Sequence, residues 1–143
     1  HARYFRRRAE GVYDMDDLAR AVEKMAGFLA AARAETGADR VIGIGYSNGA
    51  NILAATAFAH PDLVDDLALM HPLIPFAPDP QPGLAGRRVL ITAGRRDPIS
   101  PALQTEALAL WFERQGVEVA LHWHPGGHEI DRSELTALQS FLA

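Results

Sequence analysis

The sequence has no cysteine among its 143 residues. Disulfide staples are excluded, and so is a cysteine nucleophile. The lack of cysteine fits a reducing compartment, and we expect a cytoplasmic protein. No apolar run approaches the roughly 18 residues that a membrane-spanning helix needs, so no membrane association is expected. No signal-peptide pattern is visible. The chain opens His1-Ala2-Arg3, without a Met, which suggests that residues precede it. Basic stretches are scarce as well. Arg6, Arg7 and Arg8 form the one short run, and the net charge is −4. A nucleic-acid partner is therefore not expected. Internal repeats, low-complexity segments and a P-loop are all lacking.

What is present is an ordinary globular composition, 48% hydrophobic and 22% charged. That is enough apolar material for one core, read as a single domain over 1–143. The first thirteen residues show no clean period and read as a loop or flap. Asp14 looks like an N-cap, with Asp16 and Asp17 where the helix dipole favours acids. Leu18, Val22, Met25, Leu29 and Ala32 follow at helical spacing, and Gly37 sits where a left-handed helix end belongs. The run 41–45 is wholly apolar, as in a strand covered on both faces. A helix over 49–59 and a strand over 67–71 come next.

The stretch 72–86 holds five prolines, Pro72, Pro75, Pro78, Pro80 and Pro82. It suits neither helix nor central strand, and we read it as a pocket-lining excursion. A strand over 88–93 follows. Ser100 and Pro101 read as N-cap and first residue of a helix with Leu103, Ala107, Leu110 and Trp111 on its inner face. Gly116 closes that helix. A strand over 117–123 precedes a capping box, Asp131 with Glu134, and a final helix to Leu142. Strands alternating with helices imply an α/β fold, a parallel sheet joined by right-handed crossovers.

Gly45-Tyr46-Ser47-Asn48-Gly49 reads G-x-S-x-G between a predicted strand and a predicted helix. That setting is what a nucleophilic serine needs: a sharp turn that lifts its Oγ above the sheet. Side chains two residues before and after would crowd the turn, which accounts for both glycines. A dinucleotide-binding reading fails, because the third glycine of G-x-G-x-x-G would fall on Asn48. A serine of this kind needs a base and an orienting acid, in the chain order serine, acid, histidine. Asp97 and His128 lie in loops after two later strands, at the sheet rim that Ser47 would share. His122, His124 and His128 admit a zinc reading, but no further ligand is convincingly spaced, and neither metal nor cofactor is expected. His60 and His71 each precede a proline at an element end and read as structural.

The segments GYSNGAN at 45–51, LMHPLIPF at 69–76, AGRRDPISP at 93–101 and HWHPGGHEI at 122–130 together resemble the phospholipase/carboxylesterase family of α/β-hydrolases. The likeness is to bacterial carboxylesterases of the hydroquinone-linked and YpfH-like kind. It implies a three-layer α/β-hydrolase fold with helices on both sheet faces. It also implies Ser47 as nucleophile, His128 as base and acid, Asp97 as its orienting acid, and the Asn48 N–H as one oxyanion donor. Such enzymes begin with further strands and a loop that supplies a second donor. No matching segment stands here, so that part of the sheet is expected to be missing and 41–45 to form an apolar edge. Leu73, Ile74 and Ile99 flank the predicted rim and are expected as pocket walls. The expected activity is hydrolysis of small carboxylic esters. A thioesterase or lysophospholipase would use the same residues, and a hydrolase-like binding protein would use none of them. A homodimer is plausible by family likeness.

Overall fold

The computed structural model describes residues 7–9, 12–13, 15–74 and 76–143. Four parallel strands form the central sheet in the order β3-β4-β5-β6. They are β3 (Ile42–Tyr46), β4 (Asp66–Met70), β5 (Arg88–Gly94) and β6 (Glu118–His124). Among the described residues four α-helices accompany them: α1 (Met15–Thr36), α2 (Asn48–Ala59), α3 (Ala102–Arg114) and α4 (Arg132–Leu142). The alternation read from the sequence is thus the observed order. Strand ends agree with the predicted spans to within one or two residues.

The apolar pattern sets the layers. Leu67 and Leu69 of β4 and Val89 and Ile91 of β5 share one face of the sheet, because side chains alternate along a strand. They pack in one cluster with Ala50, Leu53, Ala54 and Ala57 of α2 and Leu108, Ala109 and Phe112 of α3. Phe112, Leu69 and Ile91 are fully buried, and each such side chain contributes about 1.5–3 kcal/mol. The opposite face carries Arg88 and Thr92, which reach the Phe141 carbonyl and the Glu134 carboxylate of α4. Helices therefore cover both faces. A second cluster joins α1 to α2 through Leu18, Ala21, Val22, Ile52 and Ala55.

Several expectations are corrected. Part of the first thirteen residues is strand rather than loop: β1 (Arg7–Ala9) pairs antiparallel with β2 (Val12–Tyr13). Strands of three and two residues are too short to show a period. Asp14 lies outside the described residues. Along β3, burial on both faces is not found, since Ile44 is 49% exposed at this edge of the sheet. The buried face of α3 is Thr105, Leu108, Ala109 and Phe112; of the predicted face Trp111 packs against the core, while Ala107 and Leu110 are exposed and Leu103 is 79% exposed. Two phases of that helix are equally apolar at i, i+3, i+4 spacing, and the one containing Phe112 meets the core. Ser100 does not cap α3. Pro101 takes that position, and the Ser100 hydroxyl donates to the His71 carbonyl instead.

Other local readings agree. Gly37 and Gly116 have φ of +65° and +85°. The Asp131–Glu134 capping box is formed. Between β4 and β5 the described residues form no strand or α-helix, only a 3-10 turn at Pro82–Leu84; Pro75 lies outside the described residues. The Trp111 indole N–H donates to the Pro78 carbonyl and pins this excursion to α3. No helix of the described residues is long and apolar enough to cross a membrane.

Candidate active site

Parallel register brings the strand ends to one rim. Tyr46 pairs with Met70, Met70 with Thr92, and Gly94 with His124. The segments that leave this rim carry Ser47, Asn48, Asp97 and His128.

Ser47 follows β3 immediately. Its N–H donates to the Met70 carbonyl at 2.8 Å, extending the ladder by one bond. Its backbone then turns to φ 54°, ψ −113° before α2 begins. A non-glycine residue in such a conformation carries strain on the order of 1–3 kcal/mol. Among the described residues, only Ser47 and His71 have positive φ without being glycine. The turn demands Gly45: a Cβ there would lie 2.6 Å from the Gly49 carbonyl carbon and 2.7 Å from the Ala50 nitrogen. Gly49 is different. A Cβ at that position meets nothing within 4 Å, so crowding does not explain it. Asn48 opens α2, and its N–H therefore has no acceptor within the helix.

Ser47 Oγ lies 2.8 Å from His128 Nε2, and His128 Nδ1 lies 2.6 Å from Asp97 Oδ2. The tautomer follows from these partners. A carboxylate only accepts, so Nδ1 carries the proton, and the bare Nε2 accepts from the serine hydroxyl. The fold brings the three predicted residues together in one hydrogen-bonded series. The Asp97 side chain is fully buried. Burial pushes its carboxyl up, but hydrogen bonds from His71, His128 and the Ser100 and Ile99 N–H groups outweigh that and hold it below the usual carboxylate range.

The His128 loop is fixed by contacts that sequence reasoning did not find. The Tyr46 hydroxyl donates to the His128 carbonyl at 2.6 Å. Burial pushes the Tyr46 phenol up, and the negative charges of Asp97, Glu134 and Glu129 push it the same way, so it stays a donor. Gly94 allows the loop to lie against β5, since a Cβ there would sit 2.6 Å from the Gly126 carbonyl oxygen. Tyr46 is a free position of the serine motif and carries no sequence signal of this role. Asn51, one turn into α2, accepts the Leu73 N–H at 2.6 Å and ties the proline-rich excursion to the serine helix.

Leu73 and Ile74 are buried, and Ile99 is half-buried with its N–H on Asp97 Oδ1 at 2.8 Å. Ile74 lines a cavity of about 350 Å³ with Phe76, Pro78, Leu108 and Trp111. The three histidines of the zinc reading do not converge. His122 Nε2 meets Ser133 Oγ, and His124 turns toward Glu134. His71, read as structural, instead touches the Asp97 carboxylate at 2.9 Å.

Known proteins agree with this architecture. Residues 6–130 match the dienelactone hydrolase family. MhqD of Bacillus subtilis (strain 168), named as a hydrolase, is 35% identical over 134 residues, covering 92% of this chain and 67% of that protein. The crystal structure of Atu2452 from Agrobacterium tumefaciens, of unknown function, superposes with a TM-score of 0.91 at 54% identity, covering 99% of this chain and 69% of the other. The Bacillus cereus carboxylesterase superposes at 0.88 with 35% identity, over 97% of this chain and 66% of its own. The chain thus spans about two-thirds of the length of each of these relatives. With a match over most of its residues and the sheet, helices and rim described above, the chain belongs to the dienelactone hydrolase family and has the α/β-hydrolase fold.

Proposed function

We propose that this chain is the catalytic part of a serine carboxylesterase acting on small carboxylic esters. The observation that carries the reading is the 2.8 Å and 2.6 Å series from Ser47 through His128 to Asp97, set on a strained strand-to-helix turn. Ser47 Oγ attacks the ester carbonyl while His128 Nε2 takes its proton. The imidazolium so formed stays against the ionised Asp97. The tetrahedral oxyanion meets the Asn48 N–H, where the first turn of α2 presents unpaired donors. His128 returns the proton to the departing alkoxide, leaving an acyl-serine. Water, deprotonated by the same imidazole, attacks the acyl carbonyl, and His128 returns that proton to Ser47 Oγ as the acid leaves. Leu73, Ile74 and Ile99 serve as walls of the acyl pocket.

The test is turnover of p-nitrophenyl acetate by the protein at its full natural length. Ser47→Ala should lower kcat by about 10⁵–10⁶-fold. Wild-type turnover in that variant would remove Ser47 as nucleophile. Parallel rates on a matched thioester distinguish an esterase from a thioesterase using the same residues.

A further inference from the structure

A second imidazole stands behind Asp97, and the hydrolytic steps do not use it. His71 closes β4, is fully buried and holds a backbone φ of 53°. Its Nδ1 lies 2.9 Å from Asp97 Oδ2, the same oxygen that His128 Nδ1 reaches. Its Nε2 lies 2.9 Å from Glu134 Oε1 and 2.8 Å from Oε2. Glu134 comes from α4 and is also fully buried.

Counting protons constrains this cluster. A carboxylate oxygen only accepts, and so does a bare ring nitrogen. Two acceptors facing each other in a dry interior would be strongly unfavourable. Each His71 contact must therefore contain a proton. Asp97 is held ionised by its donors, so the first proton is on Nδ1. The second lies between Nε2 and Glu134. Donors surround Glu134: the Thr92 hydroxyl at 2.6 Å and the Asp131 N–H at 2.9 Å. His124 adds a weaker polar contact. Its Nδ1 accepts the Gly126 N–H, so a neutral ring carries its proton on Nε2, 2.9 Å from Glu134 Oε1. That contact is close but off-axis, so it is a dipolar attraction and not an aligned hydrogen bond. The Thr92 and Asp131 donors, with the His124 N–H dipole beside them, favour the ionised form of Glu134, which leaves the second proton on His71.

We infer that His71 is a buried imidazolium clamped between Asp97 and Glu134, a positioning residue that fixes the Asp97 carboxylate and moderates its field at His128. This rests on the hydrolase reading of Ser47, His128 and Asp97. The two imidazole rings are 5.3 Å apart, edge to face. A cation at that distance opposes charging of His128 in the resting enzyme, and Asp97 supports it. The groups facing His71 are Tyr46 from β3, Thr92 from β5, His124 from β6, Asp97 and His128 from the rim loops, and Glu134 from α4. Glu129 and Asp131 add negative charge farther out.

His71, His124 and Glu134 are also a possible metal-ligand set, with their ligand atoms within 4.8 Å of one another. The spacing favours shared protons. Ligands at about 2.0–2.1 Å around a tetrahedral zinc are about 3.3 Å apart, whereas the His71 and His124 nitrogens approach Glu134 to 2.8–2.9 Å.

The test is NMR of the protein at full natural length with histidine rings labelled with nitrogen-15, at neutral pH. One buried histidine should show both ring nitrogens protonated, and His71→Asn should delete that pattern. A bare ring nitrogen on His71 overturns the inference, as does stoichiometric zinc by elemental analysis. Kinetics supply a second readout. Glu134→Gln lets His71 become neutral while Nδ1–H still donates to Asp97. The acidic limb of kcat/KM for p-nitrophenyl acetate should then move up by about one pH unit. Thr92→Val, a milder change at the same carboxylate, should move it the same way by less. A merely structural cluster would lower Tm and leave the limb in place, which would overturn the positioning role. Should Ser47→Ala stay active, the hydrolytic reading fails, yet the nitrogen spectrum still reports the His71 proton.

Discussion

At the amino ends of the strands, acids meet arginines; at the carboxyl ends, acids meet histidines. Asp65 accepts from Arg33 at 2.7 Å, from the Val41 N–H at 2.7 Å and from Arg87 at 2.9 Å. Asp66 pairs with Arg40 and accepts the Arg88 N–H. The guanidiniums there are half-buried or exposed and stay charged at any ordinary pH. At the other end, Asp97 and Glu134 are fully buried and their partners are His71, His124 and His128. Both ends use paired charge. Only the imidazole end can move a proton near neutral pH. One end fastens loops to the sheet, and the other gathers the groups that the proposed hydrolysis uses for proton transfer.

That contrast can be broken in order of effect. Asp97→Asn should lower kcat by about 10⁴-fold, because an amide N–H facing His128 Nδ1 selects the tautomer that cannot accept from Ser47. A loss under tenfold would place the orienting acid elsewhere. Gly45→Ala forces a methyl into the Gly49–Ala50 backbone. It should destabilise by about 1–3 kcal/mol in denaturant melts and misplace Ser47. Gly49→Ala has open space and should preserve stability, so equal damage from both would contradict the turn geometry described here.

Asp65→Asn should cost about 1 kcal/mol and leave kcat unchanged. Burial pushes the Asp65 carboxyl up, and the Val41 N–H with the Arg33 and Arg87 guanidiniums hold it below its ordinary value. A lowered native value means stability that is present above about pH 4 and fades as pH falls through that lowered value. Urea midpoints for both proteins across acidic pH should converge at the acid end. Parallel curves would show that the carboxylate contributes no linked stability.

The serine turn was legible because its physics is local: five residues specify strand end, tight turn and helix start. Asp97 and His128 were legible through chain order and their place after strands. His71 and Glu134 were not. Each had a sufficient local explanation, a histidine before a proline and the acid of a capping box, and only the tertiary fold joins them across 63 residues. The α3 face was misjudged because Leu103 and Leu110 are as apolar as Leu108 and Phe112, and periodicity alone does not choose between them. Tyr46 gives no signal until the His128 carbonyl is seen above its hydroxyl.

The most direct measurement of the central claim is intact and peptide mass spectrometry after quenching the reaction with p-nitrophenyl acetate. The account predicts a single acetyl group on the peptide containing Ser47, absent from Ser47→Ala. An acetyl group on another residue, or steady turnover with no acyl-enzyme on rapid quenching and none in a slow-deacylating variant, would contradict it.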